Sequence, residues 1–179
     1  MSGVYPPSED TYLLLRNALR EVRREDRVLE VGCGSGKISE ELSKVAREVF
    51  ATEINPYSAR FAHERGVEVI LTDLTRGIKG EFDLILFNPP YLPEKATDLE
   101  SLAWAGGEGG IEVAKRFIDE AQRLLSERGR ILLVLSSLSE ISEFLEHAKR
   151  TGFEVEVIDE EKLFFERLYV LRLEPRKSI

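Results

Sequence analysis

Val28-Leu29-Glu30-Val31-Gly32-Cys33-Gly34-Ser35-Gly36 is the stretch whose reading decides the fold. Arg27 to Val31 alternates and accumulates strand-forming residues, and it stops at three glycines spaced two apart. Lys37 to Val45 then carries helical spacing. A strand, a glycine turn and a helix in succession open a nucleotide-binding α/β unit, because glycine lets a ligand approach the backbone closely. The dinucleotide fingerprint is Gly-x-Gly-x-x-Gly. Gly32-x-Gly34-x-Gly36 is tighter, and it follows an acid, Glu30, inside the strand. A diphosphate would not welcome that carboxylate. A cationic ligand would.

Working outward, the same alternation repeats. Ser8-Glu9-Asp10 precedes a capped helix over Thr11 to Leu19. Glu48 to Ile54 reads as a strand, Pro56 to Arg65 as a helix, and Val67 to Leu71 as a short strand. Asp83 to Phe87 is a fourth strand, and roughly Leu92 to Gly110 is a long loop of the kind that is usually functional or disordered. Ile111 to Ser126 reads as a helix, Arg130 to Ser136 as a strand and Ser139 to Thr151 as a helix. Two strands finish the chain, Glu154 to Ile158 and Phe164 to Leu173, joined by a link too short for a crossover helix. The expected fold is therefore α/β: a doubly wound, mostly parallel seven-stranded sheet with a C-terminal antiparallel hairpin and helices on both faces.

The fourth strand ends abruptly at Asn88-Pro89-Pro90-Tyr91. Two prolines remove two backbone donors and fix φ twice, so the strand cannot continue. The turn falls at the carboxyl end of a strand, where open α/β sheets bind ligands. Asn88 offers an acceptor, the Pro89 and Pro90 carbonyls have no ladder to join, and Tyr91 offers a ring face. Together they can grip a planar nitrogen group by its N–H bonds and its plane. The plainer reading is a polar turn after a strand, Asn-Pro being a common turn starter. The acids weigh on the choice. Glu53 ends the second strand, at the position where nucleotide folds hold a ribose diol, and Asp73 follows the third. Each alone could be a helix cap or a solvated residue. Three carboxylates in register beside a glycine loop suit a positively charged nucleoside.

The 179 residues, 42% hydrophobic and 32% charged, predict one domain with a real core. Net charge is −8, from 25 basic and 33 acidic residues, which argues against tight binding of a long phosphate backbone. No stretch approaches the ~20 apolar residues of a membrane span, and the N-terminus has neither the basic region nor the apolar core of a signal peptide. Cys33 is the only cysteine, so a disulfide within the chain is excluded and a reducing, cytoplasmic setting is expected. It is expected to be a packing residue. His63 and His147 fall in predicted helices, as surface residues.

These segments together resemble the class I S-adenosylmethionine-dependent methyltransferases. More narrowly, the chain resembles the release-factor glutamine N5-methyltransferases, in the short archaeal and eukaryotic branch (HemK/PrmC-related, Mtq2-like) that lacks a separate N-terminal domain. The resemblance rests on Val4 to Thr11, the Glu30 to Gly36 loop, Glu53 to Pro56, Thr72-Asp73-Leu74, Phe87 to Tyr91, and Ala103-Trp104-Ala105-Gly106-Gly107, in order. Glu53 departs from it, relatives often having Asp there, although the longer acid should still reach a diol. The resemblance implies one methyltransferase domain over residues 1–179, with residues 1–24 as an N-terminal lid and helix packed on it.

It also implies roles. Gly32 and Gly34, with Glu30 nearby, would line the methionine part of the cofactor S-adenosylmethionine. Glu53 would hold the ribose, Asp73 and Leu74 the adenine, Asn88 would also border the cofactor, and Thr11 would reach it from the N-terminal segment. Asn88 and the Pro89 carbonyl would accept the two N–H bonds of a glutamine amide, and Tyr91 would pack on its plane. The substrate would be the Gly-Gly-Gln motif of a translation release factor. A competing reading keeps the same grip for an exocyclic amino group of adenine or guanine, and others are a lysine of a protein or a non-catalytic scaffold. Relatives in this branch pair with a small zinc-binding activator protein (Trm112-like), and the third strand, Val67 to Leu71, would be the exposed edge that takes it.

Overall fold

Arg27–Val31 forms β1, the axis of the molecule. In the computed structural model, which describes residues 4, 6–90 and 111–176, β1 pairs in parallel on both sides. Its neighbours are β2 (Glu48–Glu53) and β4 (Phe82–Phe87). Beyond β2 lies β3 (Glu68–Leu71), and beyond β4 lies β5 (Leu125–Ser136). The hairpin β6 (Phe153–Lys162) and β7 (Arg167–Pro175) closes the far side, both of its pairings antiparallel. The order is β3-β2-β1-β4-β5-β7-β6, the seven-stranded sheet the alternation predicts.

The inner strands are buried on both faces, which is why they read as continuous apolar runs. Leu29, Val31, Ile85, Phe87, Ile131 and Leu133 point to one face. There they meet α4 (Ile111–Ala121), through Phe117 and Ile118, and α5 (Ile141–Arg150), through Phe144. Val28, Leu84, Leu86, Leu132 and Val134 point to the other face. They meet α1 (Glu9–Glu21) and α2 (Lys37–Leu42). The third helix on that face, α3 (Pro56–Glu64), packs Ala62 near Ala51. Asn55 caps α3 by accepting from the Tyr57 and Ser58 amides, with Pro56 opening its first turn.

α1 is anchored along its length. Asn17 Nδ2 donates to Asp159 at 2.8 Å, Arg16 pairs with the same carboxylate at 2.9 Å, and Arg130 joins Glu21 to Asp26. The chain enters it through a capping box of Ser8 and Thr11.

Several boundaries differ from the sequence reading, β6 among them: it runs on to Lys162, past the expected end at Ile158, because its pairing with β7 continues to Arg167. The helix from Ile111 ends at Ala121, and a 3-10 turn over Gln122–Leu124 leads straight into β5. β5 begins at Leu125 because that residue pairs with Phe82, while Arg130 pairs with Leu84, so the residues between them form an irregularity. The Lys37 helix stops at Leu42, whose carbonyl receives both Val45 and Ala46. The last strand begins at Arg167. Phe164 and Phe165 sit in the hairpin turn, closed by the Leu163 amide on the Glu166 carbonyl, and are 92% and 84% exposed.

Candidate active site

Register brings the predicted residues together. Val31 pairs with Thr52 on one side and Phe87 on the other, and Glu53 pairs with Leu71. Gly32, Glu53, Asn88 and Thr72 therefore leave four adjacent strands at one end of the sheet. The chain changes winding direction between β1 and β4, so a crevice opens there.

The glycine loop is built from left-handed backbone: φ is +65° at Gly32, +52° at Gly34 and +75° at Gly36. At Gly36 a Cβ would also lie 2.8 Å from the Ala62 Cβ, so this turn packs directly on α3. Glu53 ties the loop to β2. Its Oε2 accepts from the Gly34 amide at 2.7 Å, and its Oε1 accepts from the Ile54 and Asn55 amides at 2.8 and 2.9 Å. Glu30 points to the α2 side of the sheet, where it accepts from the amide of Ser39 at 2.8 Å and from its hydroxyl. Burial in low dielectric is the main reason its carboxyl is pushed from the ordinary 4.5 up to about 7, and the nearby Glu53 charge adds to this. Burial likewise pushes the Cys33 thiol up, which fits a packing residue.

Among the described residues, no Lys, Arg or His forms an ion pair with either Glu30 or Glu53. Two buried acids without a cationic partner are costly, and a cationic ligand placed between the glycine loop and β2 would offset that cost. This donor set suits a positively charged nucleoside, as the acids of the sequence suggest.

Asp73 is half-buried and meets Arg116 of α4 at 2.8 Å, a partner the sequence reading did not name. Leu74 follows with φ +48°, a conformation rare for leucine, and its side chain is buried in the core. Strain of this kind persists only where surroundings over-determine it. Here they do: Arg123 donates to the Thr75 and Ile78 carbonyls at 2.9 and 2.8 Å, and Glu120 accepts from the Thr75 hydroxyl at 3.0 Å. The Asp73-Leu74 corner is thus a fixed wall of the crevice.

Asn88 stands opposite, directly after β4. Its Nδ2 donates to Asp10 Oδ2 at 2.9 Å, while its Oδ1 is buried with no hydrogen-bond partner among the described residues. Such an orphan acceptor is rare and calls for an explanation. Pro89 is buried beside it. Thr11 is buried at the third position of α1, where its hydroxyl accepts from the Ser8 amide at 3.3 Å and closes the capping box. Asp10, not Thr11, makes the hydrogen bond with the strand-end motif. It lies inside the Val4 to Thr11 segment, but nothing in sequence links it to Asn88. Tyr91, Tyr5, the Leu92 to Gly110 loop and its Ala103 to Gly107 segment lie outside the described residues.

On the opposite side of β3 from α3 there is a separate cavity of about 410 Å³, lined by Phe50, Ile70, Leu71, Arg76, Ile78 and Phe82 among others. Among the described residues the link from β3 to β4 contains no helix, so this corner of the sheet stays open.

The family model for the methyltransferase small domain matches residues 8–165. A Methanocaldococcus jannaschii protein, provisionally named a protein N5-glutamine methyltransferase, is 38% identical, with 94% of this chain and 90% of that one aligned. The mouse methyltransferase HEMK2 is 37% identical over 84% of this chain and 80% of its own. Among solved structures, the E. cuniculi Mtq2-Trm112 complex, described as responsible for methylation of the eRF1 translation termination factor, aligns with a TM-score of 0.82. It is 28% identical, and 97% of this chain and 99% of that one are covered.

Proposed function

Because the chain belongs to the methyltransferase small domain family, we propose that it methylates the side-chain amide nitrogen of glutamine in the Gly-Gly-Gln motif of a translation termination factor. The methyl donor is S-adenosylmethionine. The observation that carries this reading is the buried Oδ1 of Asn88 at the carboxyl end of β4, without a hydrogen-bond partner among the described residues. A primary amide brings two N–H bonds to such a site. Asn88 Oδ1 takes one and the Pro89 carbonyl takes the other, and Tyr91 covers the plane.

When bound, S-adenosylmethionine supplies a methyl group whose bond to the sulfonium breaks with its electron pair moving to sulfur. The chain's own residues do the rest by placement. An amide nitrogen is a weak nucleophile because its lone pair is delocalised. The site must fix it in line and stabilise the positive charge that builds on it, which two acceptors facing its N–H bonds do. One of those protons leaves to solvent as the new N–C bond forms, so no strong base is required. Glu53 would hold the ribose, Asp73 and Leu74 the adenine, and Gly32 and Gly34 the amino-acid end. Glu30 beneath the loop would favour its positive charge. We extend the same reading to the N-terminus: α1 is the fixed base, and Thr11 in its first turn would reach toward the cofactor.

The edge of the sheet supports a second partner. Among the described residues β3 has no neighbour on its outer side, and Ile70 and Leu71 are 41% and 58% exposed beside the open cavity. The E. cuniculi relative is a complex with Trm112. We place a small zinc-binding activator of that kind along β3, adding a strand to the edge. A setting in the cytoplasm, where termination factors act, follows from the substrate. Among the described residues no helix is long and apolar enough to cross a membrane.

The test is transfer of labelled methyl from S-adenosylmethionine to the host's termination factor, with the activator co-expressed. Label on the Gly-Gly-Gln glutamine, lost when that glutamine is replaced, is the expected result. Equal labelling of the replaced factor, or labelling of tRNA or DNA instead, would overturn the substrate.

A further inference from the structure

Asp10 holds the group on which acceptor binding depends. Its Oδ2 accepts from Asn88 Nδ2 at 2.9 Å across 78 positions of sequence. Its Oδ1 accepts from the Thr11 amide at 2.7 Å and from the Ser8 hydroxyl at 2.5 Å. The carboxylate is buried, and the helix that carries it is pinned by Asn17, Arg16 and the Arg130 cluster.

An asparagine amide can turn over, exchanging its oxygen for its NH2 with little change in shape. Facing a carboxylate, which only accepts, it can present only NH2. Its oxygen is then delivered to the opposite side, which is where Oδ1 is buried without a partner among the described residues. A hydrogen bond to a charged acceptor also polarises the amide, strengthening the oxygen as an acceptor in turn.

We infer that Asp10 is the positioning residue for methyl transfer: it locks the orientation of the Asn88 amide so that Oδ1 faces the nitrogen being methylated. The inference rests on the proposed function only for the identity of that nitrogen, since any acceptor bearing an N–H bond would use the same oxygen. It also gives the N-terminal segment a meaning for methyl transfer, because a residue in the first turn of α1, next to its capping box, is the residue that aims Asn88.

The experiment compares Asp10→Asn, Asp10→Glu and Ser8→Ala with the unaltered chain, all as the activator complex. Asp10→Asn keeps size but can donate as well as accept, so the lock is lost. The readouts are kcat on the termination factor, calorimetric affinity for S-adenosylhomocysteine, and the side-chain NH2 signals of asparagine-labelled protein without ligand. Asn17, Asn55 and Asn88 are the chain's asparagines, so the Asn88 pair is assignable by an Asn88→Ala control. Asp10→Asn should lower kcat about 10- to 100-fold, the scale of a charge-assisted hydrogen bond, while cofactor affinity holds. The Asn88 NH2 pair should move and the Asn55 pair should not. Asp10→Glu should restore part of the rate. Ser8→Ala weakens the cap and removes one of the bonds to Asp10 without touching Asn88, and it should cost kcat several-fold less than Asp10→Asn.

Unaltered kcat in Asp10→Asn, unmoved Asn88 signals, or an equal loss in Ser8→Ala would overturn the inference, the last by tracing the loss to the start of α1 rather than to Asn88. Failure of the unaltered chain to methylate the factor would instead overturn the substrate reading, leaving the NH2 signals to decide the role of Asp10.

Discussion

The two halves of the crevice are made of the same kinds of polar group and use them in opposite ways. On the β1–β2 side the acids are engaged by the chain itself: Glu53 takes three backbone amides and Glu30 takes Ser39. On the β4 side Asn88 spends its donor on Asp10, and among the described residues its acceptor is unused. A ligand reaching the first half must compete with, or add to, bonds already made. A ligand reaching the second finds an acceptor already desolvated and aimed. In the proposed function the cofactor half would thus adjust on binding and the acceptor half would be built in advance, which is where preorganisation contributes most to rate.

That contrast breaks most directly at Asn88. Asn88→Ala should cut kcat by about 10²–10³-fold, the cost of deleting one preorganised polar group at a reacting centre. Affinity for S-adenosylhomocysteine should change little, because the cofactor side does not use this oxygen. Single-turnover kinetics with parallel calorimetry separates the two. A loss that falls mainly on cofactor affinity would mean the halves are not distinct.

The cofactor side should carry a pH signature of its own. The folded-state pKa of Glu30 is raised to about 7 from 4.5. Between these values the folded chain holds a proton that the unfolded chain has lost, so stability falls as pH rises. The stability is present in full below pH 4.5 and is lost as pH passes through about 7. The drop is about 3 kcal/mol on the scale of 1.36 kcal/mol per pKa unit. Glu30→Gln should remove it, so urea midpoints of the variant should stay flat where those of the unaltered chain decline. Affinity for the cationic cofactor should rise over the same interval, since ionised Glu30 is the form a positive charge favours. A parallel decline in Glu30→Gln would assign the effect elsewhere.

Glu53 sharpens the comparison from within the cofactor half. Glu53→Ala should weaken S-adenosylmethionine binding by about 1–3 kcal/mol, while kcat at saturation stays near its original value. Isothermal titration against the rate at saturating cofactor distinguishes this from Asn88→Ala, with the two variants giving opposite patterns.

How much of this could be read in the sequence divides along the same line. The sheet was legible because each inner strand is buried on both faces and each helix carries one apolar stripe, so the alternation of elements is written locally. Gly32 to Gly36 and Asn88 to Pro90 were legible because glycine and proline impose backbone geometry wherever they stand. What escaped depends on contacts between distant positions. Asp10 on Asn88, Arg116 on Asp73 and the Gly34 amide on Glu53 are tertiary facts with no local signature. The irregular start of β5 escaped for a related reason: Leu125 joins the sheet through Phe82, against the helical spacing of its own segment. The Phe164-Phe165 pair reads as strand by propensity and is placed in a turn by the pairing of Lys162 with Arg167.

The smallest effect on the free chain is expected outside both halves, at the sheet edge. Leu71 is exposed, so Leu71→Lys should alter the stability of the isolated chain by no more than about 0.5 kcal/mol. It should leave Asn88 and the glycine loop as they are. In the proposed complex it places a charge on an edge that a second chain would cover, and charged residues are a common means of blocking strand addition. Co-expression with the zinc-binding activator should then give two separately eluting proteins where the unaltered chain gives a 1:1 complex. Solubility should fall, because Ile70 and the Phe50–Phe82 groove stay open to solvent. The result divides sharply from the crevice variants: Asn88→Ala and Glu53→Ala should leave the complex intact while damaging rate or cofactor affinity. An Leu71→Lys chain that still elutes with the activator would move the partner away from β3. The groove lined by Phe50 and Ile78 would then need to be tested on its own.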